Sequence, residues 1–173
     1  MVRIKEQGTR IIGEGLEAAL TKGIGVLEPG CGAGTHMWRV AKQFQNSCFT
    51  AFEIDVEIIE QNKEQAKRRG INNISFVTAD FCAMPQEWDG RFDYVMIFDC
   101  MHDLPHPAKA MAGLKRVLKN DVVVTMLDID ASADMCKQAK EPSTTYLCTI
   151  ACRLVSRTEE WEYRVLLGRG TCY

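Results

Sequence analysis

The sequence predicts an α/β fold with a doubly wound, mostly parallel sheet, and two observations carry this prediction. From about residue 24, short apolar segments alternate with segments of helical periodicity, which is the pattern of parallel βαβ units. The first apolar segment also leads directly into Gly30, Gly32 and Gly34, whose alternate spacing is typical of a loop that packs its backbone against a ligand. These features place the candidate site at the carboxyl edge of the sheet.

The first half of the chain begins with a predicted helix over about residues 4–20, which its glycines weaken. Residues 24–27 form an unbroken apolar run that suits a strand buried on both faces. A helix over residues 34–44 overlaps the end of the glycine loop. The apolar and aromatic run at residues 48–54 predicts the second strand.

The clearest helix covers residues 56–69, because apolar side chains recur along one face and Gly70 follows as a C-terminal cap. The remaining regular elements are strands at residues 74–78, 94–98 and 122–127, and a helix at residues 107–118. Beyond residue 130 the pattern changes. Residues 131–156 are predicted to form a helix or lid, and only residues 161–167 resemble a further strand.

The composition is that of one globular domain. The 173 residues include 46% hydrophobic residues, enough for a core without disulfide bonds. Because 21 basic residues face 23 acidic ones with no block of like charge, we expect no nucleic-acid partner. The N-terminus shows no apolar stretch of signal-peptide length, and no apolar run has membrane-spanning length, so we expect a cytoplasmic protein without a membrane partner.

The glycine spacing bears on the ligand. A dinucleotide loop has the pattern G-x-G-x-x-G, whereas here Gly34 comes one position early and Thr35 occupies the expected glycine position. The carboxylate of Glu28, just before the loop, would repel a diphosphate and attract a cation. S-adenosylmethionine, which carries an ammonium and a sulfonium group, fits this charge. An NAD-dependent oxidoreductase and a turn that binds nothing are the alternatives.

Acidic residues also lie at the ends of the second and third predicted strands. Glu53 lies about twenty residues after the glycines, the spacing at which a carboxylate accepts hydrogen bonds from ribose hydroxyls. Its alternative role is to cap the following helix, which suits Asp55 better. Asp80 could accept a hydrogen bond from an adenine amino group, with Phe81 offering its backbone N–H or an apolar edge. The alternative for Asp80 is an ordinary turn residue.

The segment after the fourth strand holds the candidate catalytic residues. His102 is a candidate general base, because neutral imidazole accepts a proton near neutral pH, and Asp103 is its neighbour. The alternative is that His102 only hydrogen-bonds a backbone group. His102 and His106 have the spacing of a helical metal site, but Pro105 disfavours a helix there, so no metal is predicted.

The eight cysteines are interpreted as reduced. Cys31, Cys48, Cys82 and Cys100 fall in or beside predicted strands and loops, where most should be small core residues. Zinc is disfavoured, because the closest pair, Cys148 and Cys152, lacks the C-x-x-C spacing and paired histidines.

With the glycine loop and three acidic strand ends in this order, the chain resembles the Rossmann-like class I S-adenosylmethionine-dependent methyltransferases over about residues 20–155. Residues 28–34 match the family's E/D-x-G-x-G-x-G loop. The resemblance implies S-adenosyl-L-methionine as cofactor, with the loop at its methionine part, Glu53 at the ribose and Asp80 at the adenine. The residues expected at the cofactor are Glu28, Gly30, Cys31, Gly32, Gly34, Glu53, Ile54, Asp80, Phe81 and Asp99. His102 and Asp103 are expected to be catalytic.

A narrower likeness concerns residues 98–103, 127–132 and 142–150, which resemble a branch of methyltransferases that usually carries an N-terminal winged-helix domain. No such domain precedes the first strand here, and residues 157–173 do not resemble the family's continuation. The resemblance therefore implies a truncated form. Its cofactor-binding domain would cover residues 1–156, and its sheet would lack a complete C-terminal antiparallel strand pair.

Methyl transfer to a small-molecule acceptor is the expected function, although no motif identifies that acceptor. The sequence lacks the Asn/Asp-Pro-Pro-aromatic motif of amide and adenine N-methyltransferases. One alternative is a catalytically silent cofactor-binding or dimerisation module, because the strand at residues 122–127 could be an exposed edge that favours a homodimer.

Overall fold

The computed structural model describes residues 14–128, which form a five-stranded parallel sheet with helices on both faces. The predicted fold class is confirmed. The strand order is β3-β2-β1-β4-β5. The elements are α1 (Glu14–Lys22), β1 (Gly25–Pro29), α2 (Thr35–Gln43), β2 (Cys48–Glu53), α3 (Val56–Arg69), β3 (Ile74–Thr78), β4 (Phe92–Phe98), α4 (Pro107–Val117) and β5 (Leu118–Leu127).

Both ends of α3 are determined by local chemistry that the sequence predicts. Asp55 caps the N-terminus, where its Oδ1 accepts hydrogen bonds from the backbone N–H groups of Glu57 at 2.8 Å and Ile58 at 3.2 Å. Gly70 ends the helix with φ of 64°, a left-handed conformation that glycine adopts without steric cost. Both predicted caps are confirmed.

The strands β4 and β5 are longer than predicted. The register shifts between Phe92 and Tyr94, and Phe92 pairs with Leu118 before the regular ladder begins. This irregular pair extends both strands toward their N-termini, which a periodicity argument does not detect because the alternation breaks at the shift. Within residues 14–128, β5 is one edge of the sheet, and the exposed side chains of Val124 and Met126 lie on it.

Successive residues of the central strands pack on opposite faces of the sheet. In β1, Val26 joins a core with α1, α2 and α3, whereas Leu27 joins a second core with α4. Tyr94 and Val95 of β4 divide in the same way. Burial on both faces explains why these strands are nearly continuous apolar runs.

The chain order creates one reversal in the sheet. From β1 it builds outward through β2 to β3, then crosses to the other side of β1 to form β4 and β5. The reversal therefore lies between β1 and β4. In open α/β sheets, the crevice at such a reversal, outside the carboxyl ends of the strands, is where ligands bind.

Several predictions fall outside the described residues. These are the beginning of the helix at residues 4–20, the lid at residues 131–156, the strand at residues 161–167, the tail and the C-terminal strand pair. Within residues 14–128, no helix is long and apolar enough to cross a membrane.

Cys31 and Cys82 are buried as predicted, but Cys48 is exposed because it begins β2 with its side chain away from both cores.

Candidate functional site

The carboxyl ends of the five described strands bring the predicted site residues to one edge of the sheet. Glu28 near the end of β1 is in register with Ala51 of β2, and Glu53 at the end of β2 is in register with Thr78 of β3. Asp99 follows β4, whose last residue pairs with the last residue of β5. The acids that are dispersed in the sequence thus lie at one edge of the sheet.

The glycine loop packs tightly against the segment after β4. Gly30 has φ of 61°, and a Cβ atom built there would lie 2.7 Å from Cβ and 2.9 Å from Sγ of Cys100. No side chain fits without a shift of the backbone. Cys31 donates its backbone N–H to the carbonyl of Phe52 at 3.0 Å, and Gly34 donates to the carbonyl of Cys31 at 2.8 Å. Position 30 therefore requires a glycine, because the loop backbone there packs closely against Cys100 of the same protein.

Glu28 is a buried acid with one oxygen unsatisfied. The residue is 1% exposed, and its Oε1 lies 3.4 Å from Nδ1 of His36. Among residues 14–128, nothing hydrogen-bonds its Oε2. Burial raises the pKa of Glu28, and the neighbouring His36 opposes that rise. A buried carboxylate oxygen without a donor suits a cationic ligand group, as the sequence predicts.

Glu53 connects the strand end to the glycine loop. Its Oε2 accepts a hydrogen bond from the backbone N–H of Gly32 at 3.2 Å, and its Oε1 accepts one from the N–H of Ile54 at 2.8 Å. Each carboxylate oxygen has a further lone pair that can accept from a ligand hydroxyl. The capping alternative is wrong, because Asp55 caps α3. Ile54 is 67% exposed beside this carboxylate and offers an apolar surface.

Two thiols lie among the acids of this edge. Burial raises the pKa of the Cys31 thiol, and the negative charges of Glu28 and Glu53 raise it further. Burial likewise raises the pKa of Cys100 to about 12, with Asp128, Glu53 and Glu28 adding to the effect. Both thiols therefore stay protonated near neutral pH.

Asp80 and Phe81 lie at the end of β3. Oδ1 of Asp80 accepts a hydrogen bond from the backbone N–H of Cys82 at 2.7 Å and caps a short 3-10 turn, Phe81–Ala83. The turn role considered from the sequence is thus present. The ring of Phe81 is buried edge-on against Phe52 at 5.7 Å between centroids. The adenine contacts predicted for these residues stay predictions, with the backbone N–H as the relevant group of Phe81.

His102 forms a short pair with an acid that sequence reasoning missed. Its Nδ1 lies 2.6 Å from Oδ1 of Asp128, directly after β5, and Oδ2 of Asp128 accepts the backbone N–H of Met101 at 2.8 Å. The partner of His102 is therefore a carboxylate and not the backbone group of the alternative reading. The position of Asp128 at a strand end, which singled out Glu53 and Asp80, was the signal that could have identified it.

The charges around His102 favour its protonated form. The hydrogen bond to Asp128 raises the pKa of His102, and the charges of Asp103 and Asp99 act in the same direction against partial burial. Oδ1 of Asp103 lies 3.5 Å from Nε2 of His102. Burial raises the pKa of Asp103, and the charge of His102 opposes this rise. Asp99 has a positive φ of 52° and a largely exposed side chain at the rim.

His106 lies outside this cluster, at the start of α4. It precedes Pro107, and its carbonyl accepts hydrogen bonds from the N–H groups of Lys109 and Ala110. The two histidines do not share a helix, as Pro105 predicts. Within the described residues, ligand atoms of Asp99, His102 and Asp128 lie within 4.8 Å of one another. The pair of His102 with Asp128 is the shortest of these contacts, and the expectation of no metal stays a prediction.

His36 is the second residue that sequence reasoning missed. It lies in the first turn of α2, 53% of its side chain is exposed, and its ring centroid is 4.6 Å from that of Phe98 at the end of β4. A lone histidine after a glycine loop carries no signal in the sequence, because its contacts with Glu28 and Phe98 depend on how α2 leaves the sheet.

Residues 20–166 match the profile of a family described as a methyltransferase domain. Among curated proteins, cycloartenol-C-24-methyltransferase 1 of Oryza sativa subsp. japonica is 31% identical over 105 residues, which are 60% of this chain. The match covers 30% of the rice enzyme, so the chain spans under a third of that relative.

Solved structures share the fold. An S-adenosylmethionine-dependent methyltransferase from Aquifex aeolicus has a TM-score of 0.65 at 20% identity. The alignment covers 85% of this chain and 77% of the Aquifex chain. Coclaurine N-methyltransferase, in a structure bound to N-methylheliamine and SAH, has a TM-score of 0.55 at 21% identity. That alignment covers 60% of this chain and 29% of the coclaurine enzyme.

Proposed function

The chain belongs to the methyltransferase domain family, and from this premise we propose that it transfers a methyl group from S-adenosylmethionine to a small-molecule acceptor. The observation that carries the proposal is the buried Glu28 carboxylate, whose Oε2 has no hydrogen-bond donor among residues 14–128 and lies beside a glycine loop. A cationic ligand would satisfy this oxygen.

The residues at the carboxyl edge fit the cofactor group by group. Glu28 would bind the ammonium end, while Gly30, Cys31, Gly32 and Gly34 shape the backbone beside it. Glu53 would accept hydrogen bonds from the ribose. Ile54, Asp80, Phe81 and Asp99 would surround the adenine and the rim of the crevice. When bound, S-adenosylmethionine supplies the methyl group on a positively charged sulfur.

His102 and its two acids would act on the acceptor. An ionised carboxylate can only accept hydrogen bonds. When His102 is neutral, its proton must therefore be on Nδ1, from which it is donated to Asp128. The lone pair is then on Nε2, which can remove a proton from an acceptor hydroxyl or amine. Asp103, next to Nε2, would stabilise the imidazolium that forms. Asp128 is a positioning residue in this scheme, and His102 is the general base.

We predict that Asp128→Asn lowers the pKa of His102. The folded protein holds this pKa above its ordinary value of 6.5 chiefly through the Asp128 hydrogen bond, so the base form accumulates only at higher pH in the wild type. Histidine proton resonances followed by NMR against pH measure the change. An unchanged His102 titration would contradict the positioning role.

We predict that S-adenosylhomocysteine stabilises the protein against heat. At 100 times its dissociation constant, the ligand should raise the free energy of unfolding by about 2.7 kcal/mol. Glu53→Gln should diminish the response in a thermal shift assay, because it weakens acceptance from the ribose. Glu87→Gln, on an exposed turn, is the control and should respond like the wild type. An absent shift in the wild type, or an equal one with NAD, would contradict the proposal.

The comparisons do not support the NAD-dependent oxidoreductase or the silent binding module. The likeness to the winged-helix branch stays a prediction, as do the acceptor and any self-association through β5. A methyl-transfer assay that detects S-adenosylhomocysteine release with candidate hydroxyl and amine acceptors tests the activity directly.

A further inference from the structure

We propose that His36 is a further residue of the cofactor site, which competes as an imidazolium with the ligand's ammonium group for the Glu28 carboxylate. The inference rests on the proposed function, because it assigns a cationic ligand to Glu28. In this role His36 binds no part of the ligand itself. Its protonation makes the affinity of the protein for the ligand depend on pH.

The geometry supports competition at one carboxylate. Nδ1 of His36 lies 3.4 Å from Oε1 of Glu28, while Oε2 of the same carboxylate has no donor among residues 14–128. The Glu28 side chain is 2% exposed, so its charge is poorly screened by water and responds strongly to any cation beside it. An imidazolium there weakens the attraction that an ammonium group would otherwise experience.

His36 lies over the reversal of strand order. Its helix begins after the glycine loop of β1, and its ring contacts Phe98 at the end of β4 with 4.6 Å between centroids. This ring therefore spans the two strands between which the ligand crevice opens. With 53% of its side chain exposed, the imidazole can exchange protons with solvent.

The surrounding charges set the direction of the effect. The contact with Glu28, 3.4 Å from Nδ1 to Oε1, raises the pKa of His36, and the charge of Asp99, after β4, raises it further. Partial burial and Arg39, three residues along α2, act in the opposite direction. Glu28 also has a raised pKa, because it is buried. The pair therefore holds a proton more readily than the free side chains, and a bound ammonium group would weaken that hold.

Thermodynamic reciprocity gives the test a specific form. If protonated His36 weakens binding of S-adenosylhomocysteine, then the bound ligand must lower the pKa of His36. We expect the pKa of His36 to fall by about one pH unit when the ligand binds. This fall corresponds to binding that is about tenfold weaker when His36 is protonated than when it is neutral. The ligand's own carboxylate would produce the opposite change if His36 bound that group.

The experiment is an NMR titration of the wild-type protein with and without saturating S-adenosylhomocysteine. The chain has only three histidines, so His36→Gln assigns the resonance. The expected result is a lowered His36 pKa in the complex, and loss of this response in Glu28→Gln. A His36 pKa that is unchanged or raised by bound ligand overturns the inference but leaves the proposed function intact. Absence of ligand binding at every pH overturns both.

Discussion

Replacement of His102 by glutamine is expected to lower turnover by about 10²- to 10⁴-fold, the usual contribution of one general base. Glutamine can still donate a hydrogen bond to Asp128, but it cannot take a proton from the acceptor. Of the residues proposed to hold the ligand, Asp99 at the rim lies 3.9 Å from Nδ1 of His102, whereas Glu28 pairs with His36 and Glu53 with the loop backbone. Affinity for S-adenosylhomocysteine should therefore stay close to that of the wild type. Turnover is measured by S-adenosylhomocysteine release, and affinity by calorimetry.

His106→Gln is the matched control for this change. It alters a histidine in the same segment whose contacts are made by its backbone carbonyl, so both turnover and affinity should be retained. A His102→Gln variant that loses affinity and turnover together would place His102 in the cofactor site instead. A variant with full turnover on a hydroxyl acceptor would show that the acceptor needs no base.

Replacement of Gly30 by alanine is expected to have a large effect on stability. A positive φ costs a non-glycine residue about 1–2 kcal/mol, and overpacking costs about 1–3 kcal/mol more. Both apply here, because φ is 61° and the new Cβ would lie 2.7 Å from Cβ of Cys100. The free energy of unfolding, measured with a chemical denaturant, should fall by about the sum of these costs. Ligand affinity should fall too, because the loop must shift.

Gly70→Ala is the matched control for Gly30→Ala. Gly70 has nearly the same φ, 64°, but no described heavy atom within 4 Å of a new Cβ, so it should lose only the conformational contribution. Adding Cys100→Gly to Gly30→Ala removes the clashing Cβ and should restore part of the stability. Equal losses for the two alanine variants would refute the close packing of the loop against Cys100.

The architecture was largely predictable, because local periodicity determines which segments are strands and helices. Asp55 and Gly70 mark the ends of α3 through interactions with residues next to them in the chain. The starts of β4 and β5 were not predictable, since the Phe92–Leu118 pair lies beyond a register shift. Whether Cys48 is exposed likewise depends on which elements cover the start of β2.

The sequence by itself determined the fold class, the order of elements, the glycine loop and the acids at the ends of β1, β2 and β3, because these depend on short-range pattern and on the rule that parallel strands end at one edge. Only the tertiary structure decided how those acids are used. Asp128 reaches His102 across 26 residues, and His36 reaches Glu28 by the direction in which α2 leaves the loop. Such pairs form because folding removes water from the carboxylates, and each buried charge then requires a partner that no local pattern encodes.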